Sequence, residues 1–369
     1  MAEFAVPTGP MKPHIPHKET WMKLLETQIQ QDLASIPGHH SPPPMDAMKH
    51  YVQTTPKYRR SCMFVCIKAN HCTIELPTPV VNARGFVSID SRVHTFTQMV
   101  RDLAQWCTHH GLTLPETEFA IYSCDTYAWE PEAAQFPWFV LAKPANRPGI
   151  LIPDDSFLSH GMTGNEPVSM HTTQWAWDTA LAHSANLRAS QSGSMPTFFF
   201  KGANTGATKW NTRDLLRSQT SGNARVHIDL TPTKESWVEW GRYGALLDLP
   251  GNQPWSYRRK YLHLLGRPII QLDVERFTSS TDSNGTARWI QFFDKLLVPY
   301  KDYVPQSVTY IDVPPVPEWA TMEATGIHAS MNHQFASKFS GRRKMRKLTS
   351  SHVLQYLYMT LWHYKLTFE

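Results

Sequence analysis

The chain has 369 residues, which fits about two domains of 100–200 residues each and leaves room for large cores. It is 41% hydrophobic and 18% charged with a formal charge of +5, a globular balance too mildly basic for a nucleic-acid-binding domain. No apolar run approaches the roughly 18 residues that cross a bilayer, so no membrane span is expected.

Residues 1–20 are rich in Pro and His and read as an irregular lead-in. They lack the basic and apolar regions of a signal peptide. The expectation is a cytoplasmic protein, with the ER or Golgi lumen as the alternative if the N-terminus is truncated. Residues 19–33 space Trp21, Leu24, Leu25, Ile29 and Leu33 as one face of a helix. The Pro-rich stretch 35–44 ends it. Apolar and polar residues alternate through 58–95, as in short strands. A second helix spans 93–110, carrying Phe96, Met99, Val100, Leu103 and Trp106.

Strands follow at 117–123, 137–142 and 150–153. The first runs into Asp125 and the last into Asp154 and Asp155. Strands alternating with helices predict an α/β domain with a largely parallel sheet. Ligands of such sheets bind beyond the carboxyl ends of the strands. Residues 160–173 read as loop, 175–188 as helix, and 189–196 as a Ser/Gly/Pro-rich linker and domain boundary. Beyond it come a strand at 197–201, a Gly-rich loop from Gly202 to Gly206 and a helix at 212–220. Strands at 226–230 and 243–249, a helix at 257–265 and a strand at 268–274 follow. A helix at 289–297, a short strand from 303 and a closing helix at 350–364 complete the chain. The expected domains are 1–190, 195–345 and a closing segment 346–369 packing back on the first.

The five cysteines, Cys62, Cys66, Cys72, Cys107 and Cys124, all lie in the first third. Free thiols, a disulfide or a metal site are open readings, though a zinc site lacks its second C-x₂₋₄-C pair. The basic run 341–347 reads as a solvated face. The sequon at Asn284 is weak support for secretion.

Three constellations carry chemistry. The turn at Gly202 opening a helix with Arg213 near its start suits a diphosphate, because backbone N–H groups and a guanidinium converge there. A plain turn is the alternative. Ser256, a candidate helix N-cap, precedes Arg258, a cation at a helix start that is unfavourable unless an anion is near. Asp125, at the end of an apolar strand, suits a general base whose pKa rises when desolvated; a loop-capping Asp is the alternative. Serine-hydrolase, metalloprotease and GxGxxG signatures are absent, the last arguing against an NAD enzyme.

The run FFFKGANTGATKWNTRDLL resembles the F-x-R-G-S…R-D segment of the family 90 glycosyltransferases. That family includes Rumi-type protein O-glucosyltransferases, fungal capsule xylosyltransferases and lipopolysaccharide-modifying relatives. GRYGALLDLPGNQPWSYRRKYLHLLGRPIIQL, RWIQFFDKLLVPYKDYVP and the closing NHQFASKF…LQYLYMTLWHY resemble its later blocks, in order. The resemblance implies a GT-B fold of two Rossmann-like domains facing a central cleft, a UDP-sugar donor, inversion and no metal. It implies Asp125 as catalytic base and Arg213 and Arg258 on the diphosphate. Gly202, Ala203, Thr205, Gln253, Trp255, Ser256 and Tyr257 would line the donor site, with Phe157 near the sugar. The acceptor would be a glycan or glycoprotein; a catalytically impaired relative that binds sugar or nucleotide is the alternative. Ala203 replaces the family's Ser, Arg267 a second Ser, and Asp302 a His.

Overall fold

The first sheet is organised by β1 (Cys62–Lys68), whose side chains are buried along almost its whole length, the signature of a central strand. The computed structural model describes residues 20–37, 45–77, 80–81, 87–88, 91–124, 131–154, 157, 175, 179, 181–183, 195–204, 212–222, 224–231, 237–251, 256, 258–274, 289–299, 301–308, 344–346 and 348–368. The strand β2 (His71–Glu75) returns alongside β1 through a two-residue turn. Ala69 and Asn70 there both take positive φ, 49° and 63°, the backbone of a type I′ hairpin. A two-residue loop permits only antiparallel pairing.

The order of this sheet is β2-β1-β5-β6-β8, with β5 (Thr117–Tyr122), β6 (Phe139–Val140) and β8 (Ile150–Leu151). Only β5, β6 and β8 pair in parallel; β1 is antiparallel to both neighbours. The expected largely parallel sheet is therefore corrected to a mixed one: the hairpin sets β2 against β1, and β1 also runs antiparallel to β5. Val80–Val81 and Val87–Ser88 form a separate antiparallel pair, β3 with β4.

The helix α1 (Thr20–Ala34) is pinned to β8 of this sheet, and to Lys143 of the neighbouring segment 142–144, by the buried carboxylate of Asp32. Asp32 lies 2.8 Å from the Lys143 ammonium, both almost fully enclosed. Asp32 also accepts the backbone N–H of Leu151 at 3.0 Å and the Gln28 amide at 2.6 Å. Burial pushes the Asp32 carboxyl pKa up, although Lys143 pulls against it. The short helices α2 (Met45–Thr54) and α3 (Pro56–Arg59) precede β1, and α4 (Ser91–His109) packs on β2. Pro131–Ala134 adds one helical turn, α5.

The second sheet is parallel throughout, in the order β10-β9-β11-β12-β14. Its strands are β9 (Met195–Lys201), β10 (Val226–Asp229), β11 (Tyr243–Asp248), β12 (Ile269–Val274) and β14 (Val304–Val308). The helix α6 (Thr212–Gln219) links β9 to β10, and α7 (Arg259–Leu264) links β11 to β12. Burial follows strand alternation. Phe198, Phe200, Ala245, Leu247, Ile270 and Leu272 form one cluster, while Phe199, Leu246 and Ile269 join the main core. The strand β9 begins at Met195, taking the last two residues of the expected linker; 189–194 lie outside the described residues.

The predicted helix 289–297 is corrected. Trp289–Gln291 forms a strand, β13, pairing antiparallel with β7 (Ala142–Pro144), and only Asp294–Leu296 turns helical, as 3₁₀. Short apolar runs read equally well as helix or strand, and here the pairing partner decides. The expected strand 137–142 splits for the same reason, β6 staying in the first sheet and β7 joining β13. The closing helix α8 (Ser350–Phe368) is apolar on nearly all sides and packs on α1 and α4. Its Tyr356 hydroxyl donates to the Leu151 carbonyl at 2.8 Å. Among the described residues no helix is long and apolar enough to cross a membrane.

Candidate functional site

In a parallel sheet of this order the first strand, β9, has β10 on one side and β11, β12 and β14 on the other. The crevice of such a sheet opens where the order reverses, at the carboxyl ends of β9 and β11. Those ends are Lys201-Gly202-Ala203 and Asp248-Leu249-Pro250.

Arg213, from the first turn of α6, spans the two ends. Its Nε donates to the Pro250 carbonyl at 2.9 Å and its Nη1 to the Ala203 carbonyl at 2.5 Å. Arg258 donates from Nη1 to the Lys201 carbonyl at 3.0 Å. Both guanidiniums lie over the Phe200 ring, at 5.0 and 4.6 Å, and Arg258 lies 5.7 Å from the Trp240 ring. The indole Nε1 of Trp240 is buried without a hydrogen-bond partner among the described residues.

Neither guanidinium pairs with a carboxylate among the described residues. Asp248, the nearest acid in sequence to this edge, is taken by Arg259, whose Nε donates to it at 2.9 Å. Burial depresses the pKa of Arg258, with Asp248 opposing. Burial, and then repulsion from Arg258, pushes that of Arg213 down to about 9. Arginine remains charged at neutral pH. Among the described residues these two like charges, in a poorly solvated place, have carbonyls as their hydrogen-bond partners, which favours an anion near them.

Gly202 lets the cations approach. A Cβ there would lie 2.8 Å from Arg258 Nη2. The Ser256 hydroxyl accepts the Arg258 N–H at 3.3 Å, but the helix begins only at Arg259, later than expected, so Arg258 and not Ser256 stands at its N-cap. Ser256 is 9% exposed, and its carbonyl accepts from Gln291 at 3.4 Å. Phe157 is fully enclosed by Trp175, Phe292 and Phe293, with the Lys260 ammonium 4.7 Å above its ring. It is a packing surface rather than an open wall. Asp125, Thr205, Gln253, Trp255 and Tyr257 lie outside the described residues, as do Asp155 and the sequon.

The departures from the family pattern have structural work. Arg267 donates to the Gly241 carbonyl at 2.6 Å. Asp302 pairs with Lys344 of the basic run at 2.7 Å and accepts the Val298 N–H at 2.7 Å.

Residues the sequence reading missed surround the site from below. Arg259 reaches Asp294 at 3.2 Å as well as Asp248, and Asp294 accepts the Gln291 N–H at 2.9 Å. Lys260 pairs with Asp154. The three consecutive cations 258–260 were the available signal. The five cysteines are free thiols, and no cluster among the described residues is arranged to hold a metal ion. A shallow hollow lined by Lys49, Cys66, Glu75 and Glu118 lies on the first sheet, where Lys49 already pairs with Glu75 at 2.7 Å. No family model matches the chain, and no curated protein matches it, so the crossing of Arg213 and Arg258 at the sheet edge is the feature on which a functional reading stands.

Proposed function

We propose that the chain is an inverting, UDP-sugar-dependent glycosyltransferase, with xylose or glucose as the transferred sugar and a glycan or protein hydroxyl as acceptor. The observation that carries this reading is the pair of guanidiniums, Arg213 buried and Arg258 half-buried, at the switch point of a parallel sheet with carbonyls as their hydrogen-bond partners. A diphosphate supplies two negative groups to match them, and guanidiniums fork onto phosphate oxygens. The ordered motif resemblance narrows the anion to a UDP-sugar and the architecture to a GT-B pair of Rossmann-like domains with the donor in the second.

In this mechanism the acceptor oxygen attacks the anomeric carbon while Asp125 takes its proton. The bond from that carbon to the diphosphate breaks on the opposite face. The charge that develops on the departing UDP is met by Arg213 and Arg258, already in place and poorly solvated, where such contacts are worth most. The two arginines here carry the charge that a metal ion carries in other sugar transferases.

The test is UDP release from a panel of UDP-sugars with wild type and Asp125→Asn. Loss of turnover with retained UDP binding is expected of the variant; equal turnover by the two removes Asp125 from the chemistry. A non-catalytic nucleotide binder is the second reading, motivated by Ala203, which offers no hydroxyl and presents its carbonyl to Arg213. UDP binding with no turnover on any sugar or acceptor would select it.

A further inference from the structure

The N-cap and first turn of α7 carry three cations in succession, and each faces a different partner. Arg258 faces the anion site. Arg259 is held by Asp248 and Asp294 within the same half of the chain. Lys260 crosses to the other half: its ammonium lies 2.6 and 2.5 Å from the two oxygens of Asp154, just beyond β8. The pair is essentially sealed from solvent, with Lys260 0% and Asp154 3% exposed. Phe157, on the same stretch as Asp154, lies under the ammonium at 4.7 Å.

A second strand of contacts runs in parallel. The β13 strand pairs with β7 of the first half, and its Gln291 reaches both the Ser256 carbonyl and, through its N–H, the Asp294 carboxylate that holds Arg259. The turn that presents Arg258 is therefore tied on two sides to the half of the chain that carries β5, β6 and β8. Buried ion pairs are weak devices for stability, since apolar replacements are often neutral or better. A pair this enclosed calls for another role.

We propose that Lys260 is a positioning residue that couples occupancy of the Arg213–Arg258 anion site to the placement of the Asp154 edge of the first sheet. This rests on the anion-site reading above. Arg258 is the N-cap residue of a six-residue helix, so a backbone shift that carries it toward a ligand also carries Lys260, two residues on, and the carboxylate it grips. The edge that moves is the carboxyl edge of β5, β6 and β8, where an acceptor-side group would have to meet the donor.

The experiment is amide exchange read by mass spectrometry, with and without saturating UDP, on wild type and on the double variant Lys260→Met/Asp154→Leu. The double variant removes both charges and leaves no lone buried ion. In wild type, UDP slows exchange in 150–154 as well as in 243–248, by about fivefold or more. In the double variant UDP still binds within about threefold of wild type and protects 243–248, but 150–154 gains nothing. Lys260→Arg, which keeps the pair, restores the effect and serves in place of the double variant should that fail to fold, since loss of coupling in it overturns the proposal. Equal protection of 150–154 in wild type and double variant, or none in a wild type that binds the ligand, also overturns it. If wild type ignores UDP, the donor reading fails alone, and inorganic pyrophosphate becomes the probe; if neither binds, the anion site and the coupling fall together.

Discussion

Gly202→Ala isolates the geometry on which the donor site depends. Gly202 is not among the glycines with positive φ, so alanine adds no backbone strain there. The added methyl would meet Arg258 Nη2 at 2.8 Å, Nη1 at 3.0 Å and Cζ at 3.3 Å. Ordinary carbon contacts need about 3.5 Å, so the guanidinium must retreat by about 0.7 Å. It cannot do so and keep both its 3.0 Å bond to the Lys201 carbonyl and its seat 4.6 Å over Phe200. One charge-assisted hydrogen bond to the ligand is worth about 1.5–3 kcal/mol, which predicts a 10–150-fold loss of UDP affinity. Calorimetric titration reads it, with thermal melting as the control for folding. The sharper test repeats Gly202→Ala in an Arg258→Ala background, where the three nearest atoms the methyl would meet are gone and it should cost little further affinity. An unchanged Kd for the single variant, or an equal loss in both backgrounds, refutes the steric argument.

Other outcomes follow from the buried charges. His263 is enclosed, and burial pushes its pKa down to about 4, with Asp302 and Asp294 pulling up and Arg259 and Lys344 pushing down. The unfolded histidine, near 6.5, binds a proton that the folded one refuses, so stability falls as pH drops from about 6.5 toward 4, by up to about 3 kcal/mol. Denaturant melts across that window should show the slope in wild type and lose most of it in His263→Phe. Asp32→Ala strands the Lys143 ammonium and frees the Leu151 N–H, and should cost about 3–5 kcal/mol in the same assay.

Much of the second sheet was legible in the sequence. The phenylalanine run of β9 and the apolar strands β11 and β12 are buried on both faces, which a continuous apolar run announces. Arg213 is a candidate in the sequence because it stands just inside a helix after a Gly-rich turn, and Arg258 because a cation at a helix start is out of place without an anion. What escaped were features set by long-range partners. Ala69 and Asn70 make a hairpin because their backbone turns left-handed, and Ala-Asn is a weak signal for that. Trp289–Gln291 is a strand because Ala142–Pro144 lies beside it, across more than a hundred residues of chain. Nothing near Arg259 and Lys260 in the sequence announces their carboxylates, Asp154, Asp248 and Asp294, which come from three other segments.

The most direct test of the donor site is titration of wild type, Arg213→Ala, Arg258→Ala and the double variant with UDP, with uridine as the phosphate-free control. The account predicts that wild type binds UDP and not uridine, that each single variant weakens binding by about tenfold or more, and that the double variant does not bind. Wild type that ignores UDP, or a double variant that binds it as tightly as wild type, would contradict the placement of a nucleotide diphosphate between Arg213 and Arg258.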